Sequence, residues 1–310
     1  MNNINPTLNE LIEIAKQQFQ SNSYKNIYCT TCNQLYFNKN TYSSIKHLHK
    51  KLISLSKEER DILVNFHVEE FLNSLYTVDQ YLYFKNKDYI TIKKIYKLLL
   101  QDIVDAKLPS RDIEYRHYSR IRSFIKKTNP SVYKINLNNN KTAQHFVCSE
   151  YTPEFQLNLL SLDIKKLKGS VLDIGCGKHG NLVNYLRLHN IKAYGIDRST
   201  KNSKYLKSAN WLEINYGQNR WNTIISNLSF SSHFLHHFVQ KDGIDIVFAK
   251  VYMKILSSLK YGGEWIYAPS IPFMEDLLST EEYQVKRTPV NHEFNKTIIK
   301  KLTPSTLLKN

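Results

Sequence analysis

Apolar residues recur at helical spacing, every third or fourth position, through most of the first 130 residues. The helices that this pattern predicts span residues 7–19, three runs between residues 43 and 107, and residues 111–127. Two of these helices begin with a capping-box pattern, Thr7 with Glu10 and Ser56 with Glu59. We therefore predict a mainly α-helical N-terminal domain over residues 1–140.

From residue 141 onward, short apolar runs alternate with helical ones. The predicted strands are residues 170–174, 192–196, 211–216, 221–226, 264–269 and a C-terminal segment within 294–310, with a glycine turn at 260–263. The predicted helices are residues 152–160, 182–188 and 252–259. Strands that alternate with helices predict an α/β domain over residues 141–310, with a mainly parallel sheet and helices on both of its faces.

The first of these strands runs into a glycine-rich turn, Val171-Leu-Asp-Ile-Gly-Cys-Gly-Lys-His-Gly. Its glycines keep a G-x-G-x-x-G spacing, which leaves room for a ligand's backbone and lets the next helix start close to the strand. Asp173 comes just before the glycines, and Asp197 ends the next strand, 22 residues after Gly175. At that separation an acid can meet the hydroxyls of a ribose, so the pattern predicts a nucleotide-like ligand.

At these residues the chain resembles the class I S-adenosylmethionine-dependent methyltransferases, over about residues 150–275. Val-Leu-Asp-Ile-Gly-Cys-Gly is similar to the first motif of that family, and Tyr-Gly-Ile-Asp-Arg at 194–198 is similar to the second. An acid at Asp173 would repel a pyrophosphate, but it suits a cationic sulfonium and an amino group. The resemblance implies a Rossmann-like methyltransferase sheet that binds S-adenosylmethionine; a nucleotide-free α/β turn is the alternative.

The resemblance implies cofactor contacts at the ends of several strands. The glycine loop would present backbone N–H groups to the methionine carboxylate, Asp173 would lie by the amino group, and Asp197 would accept both ribose hydroxyls. Arg198 would border the adenine, and either Glu213 or Asn215 would contact it from the third strand. The implied cofactor residues are Asp173, Gly175, Cys176, Gly177, Asp197, Arg198, Asn215 and Asn227.

The fourth strand ends in Asn227-Leu-Ser-Phe, at the position that faces the transferring methyl group in that fold. This sequence partly resembles the Asn-Pro-Pro-Tyr and Asn-Leu-Pro-Tyr motifs of enzymes that methylate exocyclic amines of adenine, with Ser229 in place of a proline. His233 follows closely, and an imidazole there could remove a proton from an acceptor hydroxyl or amine. The alternatives are an orienting or structural histidine and a metal site with His236 or His237. The catalytic candidates are therefore His233, Asn227 and Ser229.

A second candidate site lies near the N-terminus, where Cys29 and Cys32 are followed by His47 and His49. Two thiolates and two imidazoles suit tetrahedral zinc, and the segment resembles a C2H2 zinc finger. On a helix, however, positions i and i+2 point about 200° apart, so both histidines could not face one metal. Either only one of them is a ligand, with His67 as a substitute, or the local backbone is not helical. Free cysteines packed as small apolar groups are the alternative to zinc.

The formal net charge is +16, spread over both halves of the chain. Such an excess suits a polyanionic partner, although a solvated basic surface is an equal interpretation. The helix at 111–127 interleaves basic and aromatic side chains that could track a phosphate backbone or simply face solvent: Arg111, Arg116, Arg120, Arg122, Lys126 and Lys127, with Tyr115, His117 and Tyr118.

The sequence also indicates the cellular compartment of the protein. It contains no run of eighteen apolar residues, and its first residues lack the apolar core of a signal peptide. Four scattered cysteines do not form a disulfide framework. We therefore expect a cytoplasmic protein without a membrane partner.

Taken with the resemblance, these features predict methyl transfer from S-adenosylmethionine to a nitrogen or oxygen acceptor. The basic charge slightly favours a nucleic acid, RNA more than DNA. A small-molecule methyltransferase is the alternative within the same class. A non-catalytic protein that binds the cofactor or a nucleic acid is the alternative from another class.

Overall fold

The computed structural model describes residues 5–23, 25, 27–28, 35–130, 150–290 and 292–304. The chain divides into two compact units, Met1–Cys148 and Ser149–Asn310. No helix within the described residues has the length and apolar character needed to cross a membrane.

The described part of the first unit is helical. Its helices are α1 (Pro6–Asn22), α2 (Lys39–Ser54), α3 (Lys57–Val78), α4 (Asn86–Asp105) and α5 (Ser110–Thr128). The capping box of Ser56 and Glu59 is confirmed at the start of α3, where each side chain accepts the other residue's backbone N–H. The box predicted at Thr7 is wrong, because α1 begins one residue earlier, at a proline, and Asn5 caps it by accepting the Thr7 N–H.

The second unit contains a seven-stranded sheet in the order β3-β2-β1-β4-β5-β7-β6. Its strands are β1 (Ser170–Ile174), β2 (Lys192–Asp197), β3 (Leu206–Ser208), β4 (Trp221–Asn227), β5 (Leu259–Ala268), β6 (Tyr283–Pro289) and β7 (Asn295–Lys301). The strands β1 to β5 pair in parallel, whereas β7 is antiparallel to both β5 and β6.

Helices cover both faces of this sheet. They are α6 (Pro153–Leu160), α7 (Asn181–Leu188), α8 (Phe230–Gln240), α9 (Asp245–Ser258) and the short α10 (Pro272–Glu275). Thr152 caps α6 and Pro153 takes its first position, as predicted. The predicted fold class, a Rossmann-like methyltransferase sheet preceded by a helical region, is confirmed.

The predicted third strand, residues 211–216, is wrong. These residues form a compact turn, and the third strand is instead Leu206–Ser208. The turn is held by the Tyr216 hydroxyl, which donates to the Trp211 carbonyl at 2.7 Å, and by the Trp221 indole N–H, which donates to the Tyr216 carbonyl at 3.1 Å. Leu212 and Tyr216 are buried in this turn. The alternation of apolar residues that suggested a strand therefore comes from a turn that buries two of its side chains.

The predicted turn at 260–263 is also wrong, because these residues belong to the beginning of β5. The pairing of β4 with β5 shifts register between Trp221 and Thr223, which indicates a bulge at this point. The edge strand β6 was not predicted, since its residues are mostly exposed and carry no alternating apolar pattern.

A buried carboxylate, Glu275, ties together the C-terminal half of this sheet. It accepts hydrogen bonds from the Tyr267 hydroxyl at 2.7 Å, the Ile271 N–H at 2.6 Å and the Thr297 hydroxyl at 2.8 Å. Arg287 on β6 donates to its second oxygen. The carboxylate therefore links β5, α10, β6 and β7 through charge-assisted hydrogen bonds.

We expect Glu275→Ala to lower the free energy of unfolding of the second unit by about 3 kcal/mol or more, because three buried donors and one guanidinium lose their acceptor. Thermal or denaturant unfolding of the full chain measures this. The control is Glu281→Ala, which removes the same charge at an exposed turn and should change stability by about 0.5 kcal/mol at most. Equal effects of the two substitutions would contradict the role of Glu275.

Candidate functional site

The glycine loop joins the end of β1 to the start of α7 and is fastened to β2. The Gly175 and Cys176 N–H groups both donate to the Ile196 carbonyl, at 2.8 and 3.2 Å. The Gly177 N–H donates to Asp197 Oδ2 at 3.2 Å. These bonds hold the loop against the carboxyl ends of β1 and β2, which is the edge where open α/β sheets bind ligands.

Gly175 is the point at which three segments meet. Its φ is +81°, and a Cβ at this position would lie 2.4 Å from Ser229 Cβ and 2.7 Å from the Trp211 ring. The loop after β1, the turn after β3 and the turn after β4 therefore touch one another here. A side chain at position 175 would force them apart.

Asp173 lies at the same edge and is almost fully buried, with 1% of its surface exposed. Its Oδ2 makes no hydrogen bond with any described residue. Burial, with a smaller effect from the nearby Asp197 carboxylate, raises the pKa of Asp173 from its ordinary value of 3.8 to about 7. A buried carboxylate without a donor or counter-charge is a position at which a cationic or N–H-bearing ligand would be stabilised.

Asp197, at the end of β2, already has partners. Its Oδ1 accepts from the Ser199 N–H at 2.8 Å and from the Ser199 hydroxyl at 2.6 Å, while its Oδ2 accepts from Gly177. A carboxylate has about four acceptor positions, so one position remains for a ligand within the described structure. To accept two ribose hydroxyls, Asp197 would have to release the Ser199 hydroxyl.

Asn227 ends β4 and is the second buried polar side chain at this edge that lacks a partner. It is 6% exposed, and neither its Oδ1 nor its Nδ2 makes a hydrogen bond with a described residue. The next residue, Leu228, has a left-handed φ of +49°, and its N–H donates to the Ala268 carbonyl at 2.9 Å. A strained, hydrogen-bonded turn therefore fixes the position of Asn227. Its side-chain amide is left without a hydrogen bond to a described residue.

Ser229 serves to connect strands. Its hydroxyl donates to the Ile174 carbonyl at 2.7 Å and lies 2.9 Å from the Ser226 hydroxyl. It thereby joins the end of β1 to the end of β4 and is buried in doing so. Its predicted catalytic role stays a prediction.

The backbone of this turn also bears on the partial resemblance to Asn-Pro-Pro-Tyr. Proline requires a φ near −65°, whereas Leu228 has +49° and Ser229 has −117°. Prolines at these two positions could not adopt the turn seen here. The observed turn therefore requires residues other than proline at positions 228 and 229. It gives no support to recognition of an adenine amine.

His233 lies on the first turn of α8, is 7% exposed and packs edge-to-face on the Trp211 ring at 5.1 Å. Burial lowers its pKa well below the ordinary value of 6.5, and the nearby charges of Arg198, His237 and His236 lower it further. The imidazole is therefore neutral at pH 7 and has a lone pair that can accept a proton. One turn further along, His237 Nδ1 lies 2.8 Å from Asp242 Oδ2, so this histidine has a carboxylate partner.

The other predicted cofactor residues lie at different depths. Cys176 packs its side chain into the core beneath the loop, against Gly195, and burial raises the pKa of its thiol. Arg198 is partly exposed directly after β2. Asn215 is exposed, and its Oδ1 accepts the Gly217 N–H at 2.8 Å in the turn that replaces the predicted third strand. Their contacts with a cofactor remain predictions.

Two residues at this edge were missed by the sequence analysis. Trp211 contacts both Gly175 and His233, but its alternating surroundings suggested a strand. Glu150 lies beside the loop, where its Oε1 accepts the Lys178 N–H at 2.8 Å. No motif marks either residue, because each reaches the site through the packing of turns.

The candidate zinc site cannot be assembled from the described residues. Cys29 and Cys32 lie outside them. His47 and His49 both lie on α2, so helical geometry excludes their joint ligation of one metal; His49 Nδ1 lies 2.6 Å from the Val104 carbonyl. No group of three or more metal-ligating side chains occurs among the described residues, which include His233, His236 and His237. Zinc binding by the two cysteines therefore stays a prediction.

The strand order, with an antiparallel β7 between β5 and β6, and the glycine loop after β1 define the class of this fold. The second unit has the Rossmann-like fold of the class I S-adenosylmethionine-dependent methyltransferases. This assignment of the fold rests on the topology of the chain itself.

No protein-family model and no curated protein matches the sequence. Among solved structures, the 16S rRNA N2 G1207 methyltransferase of T. thermophilus, in complex with AdoMet and guanosine, matches over 50% of this chain and 41% of its own, at 10% identity and a TM-score of 0.33. The N-methyltransferase NodS from Bradyrhizobium japonicum matches over 49% of this chain and 96% of its own, at 16% identity and a TM-score of 0.33. The sugar N-methyltransferase KedS8 from Streptoalloteichus matches over 46% of this chain and 55% of its own, at 14% identity and a TM-score of 0.28. This chain thus spans less than half of the rRNA enzyme.

We expect Gly175→Ala to destabilise the second unit by about 2 kcal/mol more than Gly243→Ala. Both glycines have a φ of +81°, but a Cβ at Gly243 would meet nothing within 4 Å. The difference between the two variants therefore isolates the contact with Ser229 and Trp211 from the cost of the backbone conformation. Melting temperatures of the two variants measure it, and equal losses would show that the three segments do not meet at Gly175.

Asp173 is expected to make the second unit less stable as pH rises. Because its pKa is about 7 in the folded chain against an ordinary 3.8, the unfolded chain loses, between about pH 4 and pH 7, a proton that the native chain keeps. The free energy of unfolding should fall by about 1.4 kcal/mol per pH unit in this window and level off above it.

Asp173→Asn removes this titration, so its melting temperature relative to the wild type should rise from about pH 5 to about pH 7. Calorimetry of the ligand-free protein measures the difference. A difference that does not change with pH would mean that Asp173 is already ionised across the window.

Proposed function

We propose that the second unit binds S-adenosylmethionine and transfers its methyl group to a nitrogen or oxygen atom of an acceptor. The observation that carries this proposal is the pair of buried side chains without partners, Asp173 and Asn227, on the adjacent strands β1 and β4. The chain reverses its strand order between these two strands, and ligands of open α/β sheets bind at such a switch point.

The residues around the glycine loop fit the parts of this cofactor. The Asp173 carboxylate would bind the amino group, and the unused acceptor position of Asp197 would bind a ribose hydroxyl. The N–H groups of the loop would bind the carboxylate of the cofactor. In the structure the Glu150 carboxylate takes such a position, because its Oε1 accepts the Lys178 N–H at 2.8 Å. Glu150 would therefore yield this position to the cofactor.

S-adenosylmethionine supplies a methyl group on a positively charged sulfur, which is already activated for displacement. The protein therefore needs mainly to orient the acceptor and exclude water. Asn227 can accept an N–H or O–H of the acceptor at Oδ1 and donate to a neighbouring acceptor atom from Nδ2. A neutral ring nitrogen of His233 can take up the proton that the acceptor releases.

We further propose that the acceptor is a nucleic acid, RNA more than DNA. The net charge of +16 supports a polyanionic partner. Helix α5 offers fewer groups for binding a nucleic acid than its sequence suggests. His117 and Tyr118 are buried, and Arg120 is paired with Asp102 at 2.6 Å. Exposed Tyr115 remains available for stacking on a base.

A small-molecule acceptor is the second candidate, and the burial of the transfer site favours it. Asn227 and His233 are less than a tenth exposed, so a duplex or a stacked strand could not reach them as it stands. A nucleic-acid acceptor would have to present a single base taken out of its stack, whereas a small molecule would enter directly.

Methyl transfer is tested with cofactor labelled on its methyl group, offered separately to total RNA, total DNA and a metabolite extract. We expect label in RNA that falls by about a hundredfold in Asn227→Ala, with a smaller loss of cofactor affinity measured by calorimetry. The control is Asn295→Ala, an exposed asparagine on β7, which should behave as the wild type. Label only in the metabolite pool would identify a small-molecule methyltransferase. Cofactor binding without any transfer would identify a non-catalytic binding protein, and no cofactor binding would overturn the proposal.

A further inference from the structure

The first unit contains a partly open cavity of about 300 Å³ between its helices. All five helices of the described residues in this unit contribute to the lining, which is mainly aliphatic and aromatic and includes Ala15 and Phe19 of α1 and Phe71 of α3. Protein interiors seldom contain voids much larger than one water molecule. A cavity of this size inside a helical unit is therefore a candidate ligand site.

The volume limits the size of a ligand. An apolar cavity of about 150 Å³ stays dry and binds benzene, and this cavity has about twice that volume. Two fused six-membered rings would therefore fit, whereas a nucleotide or a peptide would not.

Some polar groups of the lining are already satisfied by the protein. The amides of Gln18 and Asn22 both contact the Tyr36 carbonyl and the Tyr118 hydroxyl, at 2.7 to 3.4 Å. Gln18 Oε1 also accepts from Asn38 and Thr41. These groups form a network of their own and leave little hydrogen-bonding capacity for a ligand.

Three other polar groups of the lining have capacity to spare: His117 on α5, whose buried Nδ1 makes no hydrogen bond with a described residue, His67 on α3 and Tyr96 on α4. His67 Nδ1 lies 2.8 Å from the Leu63 carbonyl. A carbonyl can only accept, so Nδ1 carries the hydrogen and Nε2 of the neutral ring is left as an acceptor. Neither His67 Nε2 nor the Tyr96 hydroxyl makes a hydrogen bond with a described residue. The two rings lie side by side, with centroids 5.2 Å apart.

The charge of the lining limits the ligand further. The described lining residues include no carboxylate, and their one cationic side chain is Lys25, whose Nζ lies 5.3 Å from the centre of the Tyr36 ring. Burial lowers the pKa of His67 and raises that of Tyr96, so both are neutral at pH 7. A cationic ligand would lose its hydration without gaining a counter-charge, and an anionic one would meet only the Lys25 ammonium, which already lies over the Tyr36 ring.

We propose that this cavity binds a neutral bicyclic aromatic molecule that carries one hydroxyl or N–H group and donates it to His67 Nε2. The ligand's rings pack against the aromatic and aliphatic wall, and the Tyr96 hydroxyl provides a second hydrogen bond next to the first. This site is separate from the methyl-transfer chemistry, and neither proposal depends on the other.

The first experiment titrates the full chain with 2-naphthol and with naphthalene, using calorimetry or ligand fluorescence. We expect saturable binding of one 2-naphthol per chain, about fivefold or more tighter than naphthalene, because only 2-naphthol can donate to His67. In His67→Phe, which keeps an aromatic ring but has no acceptor, the preference for 2-naphthol should fall to what the Tyr96 hydroxyl alone provides. Absence of saturable 2-naphthol binding, or an unchanged preference in His67→Phe, would overturn the proposal.

The second experiment fills the cavity. Ala15 is buried in its wall, and Ala15→Leu places three additional carbon atoms there without changing the charge. We expect 2-naphthol affinity to fall by about tenfold or more, whereas Lys16→Leu, the same new side chain at the next and exposed position, should leave it unchanged. Circular dichroism confirms that both variants are helical. A smaller loss in Ala15→Leu, or an equal loss in Lys16→Leu, would contradict binding in this cavity.

Discussion

The close approach of three loops at Gly175 is the constraint on which the site in the second unit depends. Only a residue without a side chain allows the loop after β1 to contact Ser229 and Trp211 while its φ is +81°. The Ser229 hydroxyl then bonds to the Ile174 carbonyl and joins the ends of β1 and β4. Because the loops are fixed against one another, Asp173, Asn227 and His233 are held in a rigid and largely buried arrangement.

Two buried carboxylates of the second unit show why that arrangement indicates a ligand. Glu275 is surrounded by four donors from four elements and is fully satisfied by the protein. Asp173 is buried to the same degree, yet its Oδ2 has no donor among the described residues and its pKa is raised to about 7. Since buried polar groups are almost always paired, the exception at the ligand-binding edge is best explained by a partner that comes from outside the chain.

The sequence predicts those parts of the fold that local patterns determine. The end of β1, the glycine loop and the cap of α6 follow from neighbouring residues and are in place. The turn at Trp211 and the edge strand β6 were missed, because burial of one turn against the core and pairing of an exposed edge are non-local. Tyr118 and His117 could have been assigned to the core, since His117 lies four residues from both Ile113 and Ile121 on the inner face of α5.

The two proposed ligand sites differ in the charge that each can stabilise. The buried Asp173 carboxylate, whose Oδ2 makes no hydrogen bond with a described residue, would be stabilised by a cationic group. The edge of the sheet therefore suits a positively charged cofactor. The cavity lined by His67 and Tyr96 has no carboxylate among its described lining residues, so a cationic molecule placed there would lose its hydration without gaining a counter-charge. The same cofactor therefore cannot satisfy both sites. Each site selects its own class of ligand through the buried group that the protein leaves without a partner.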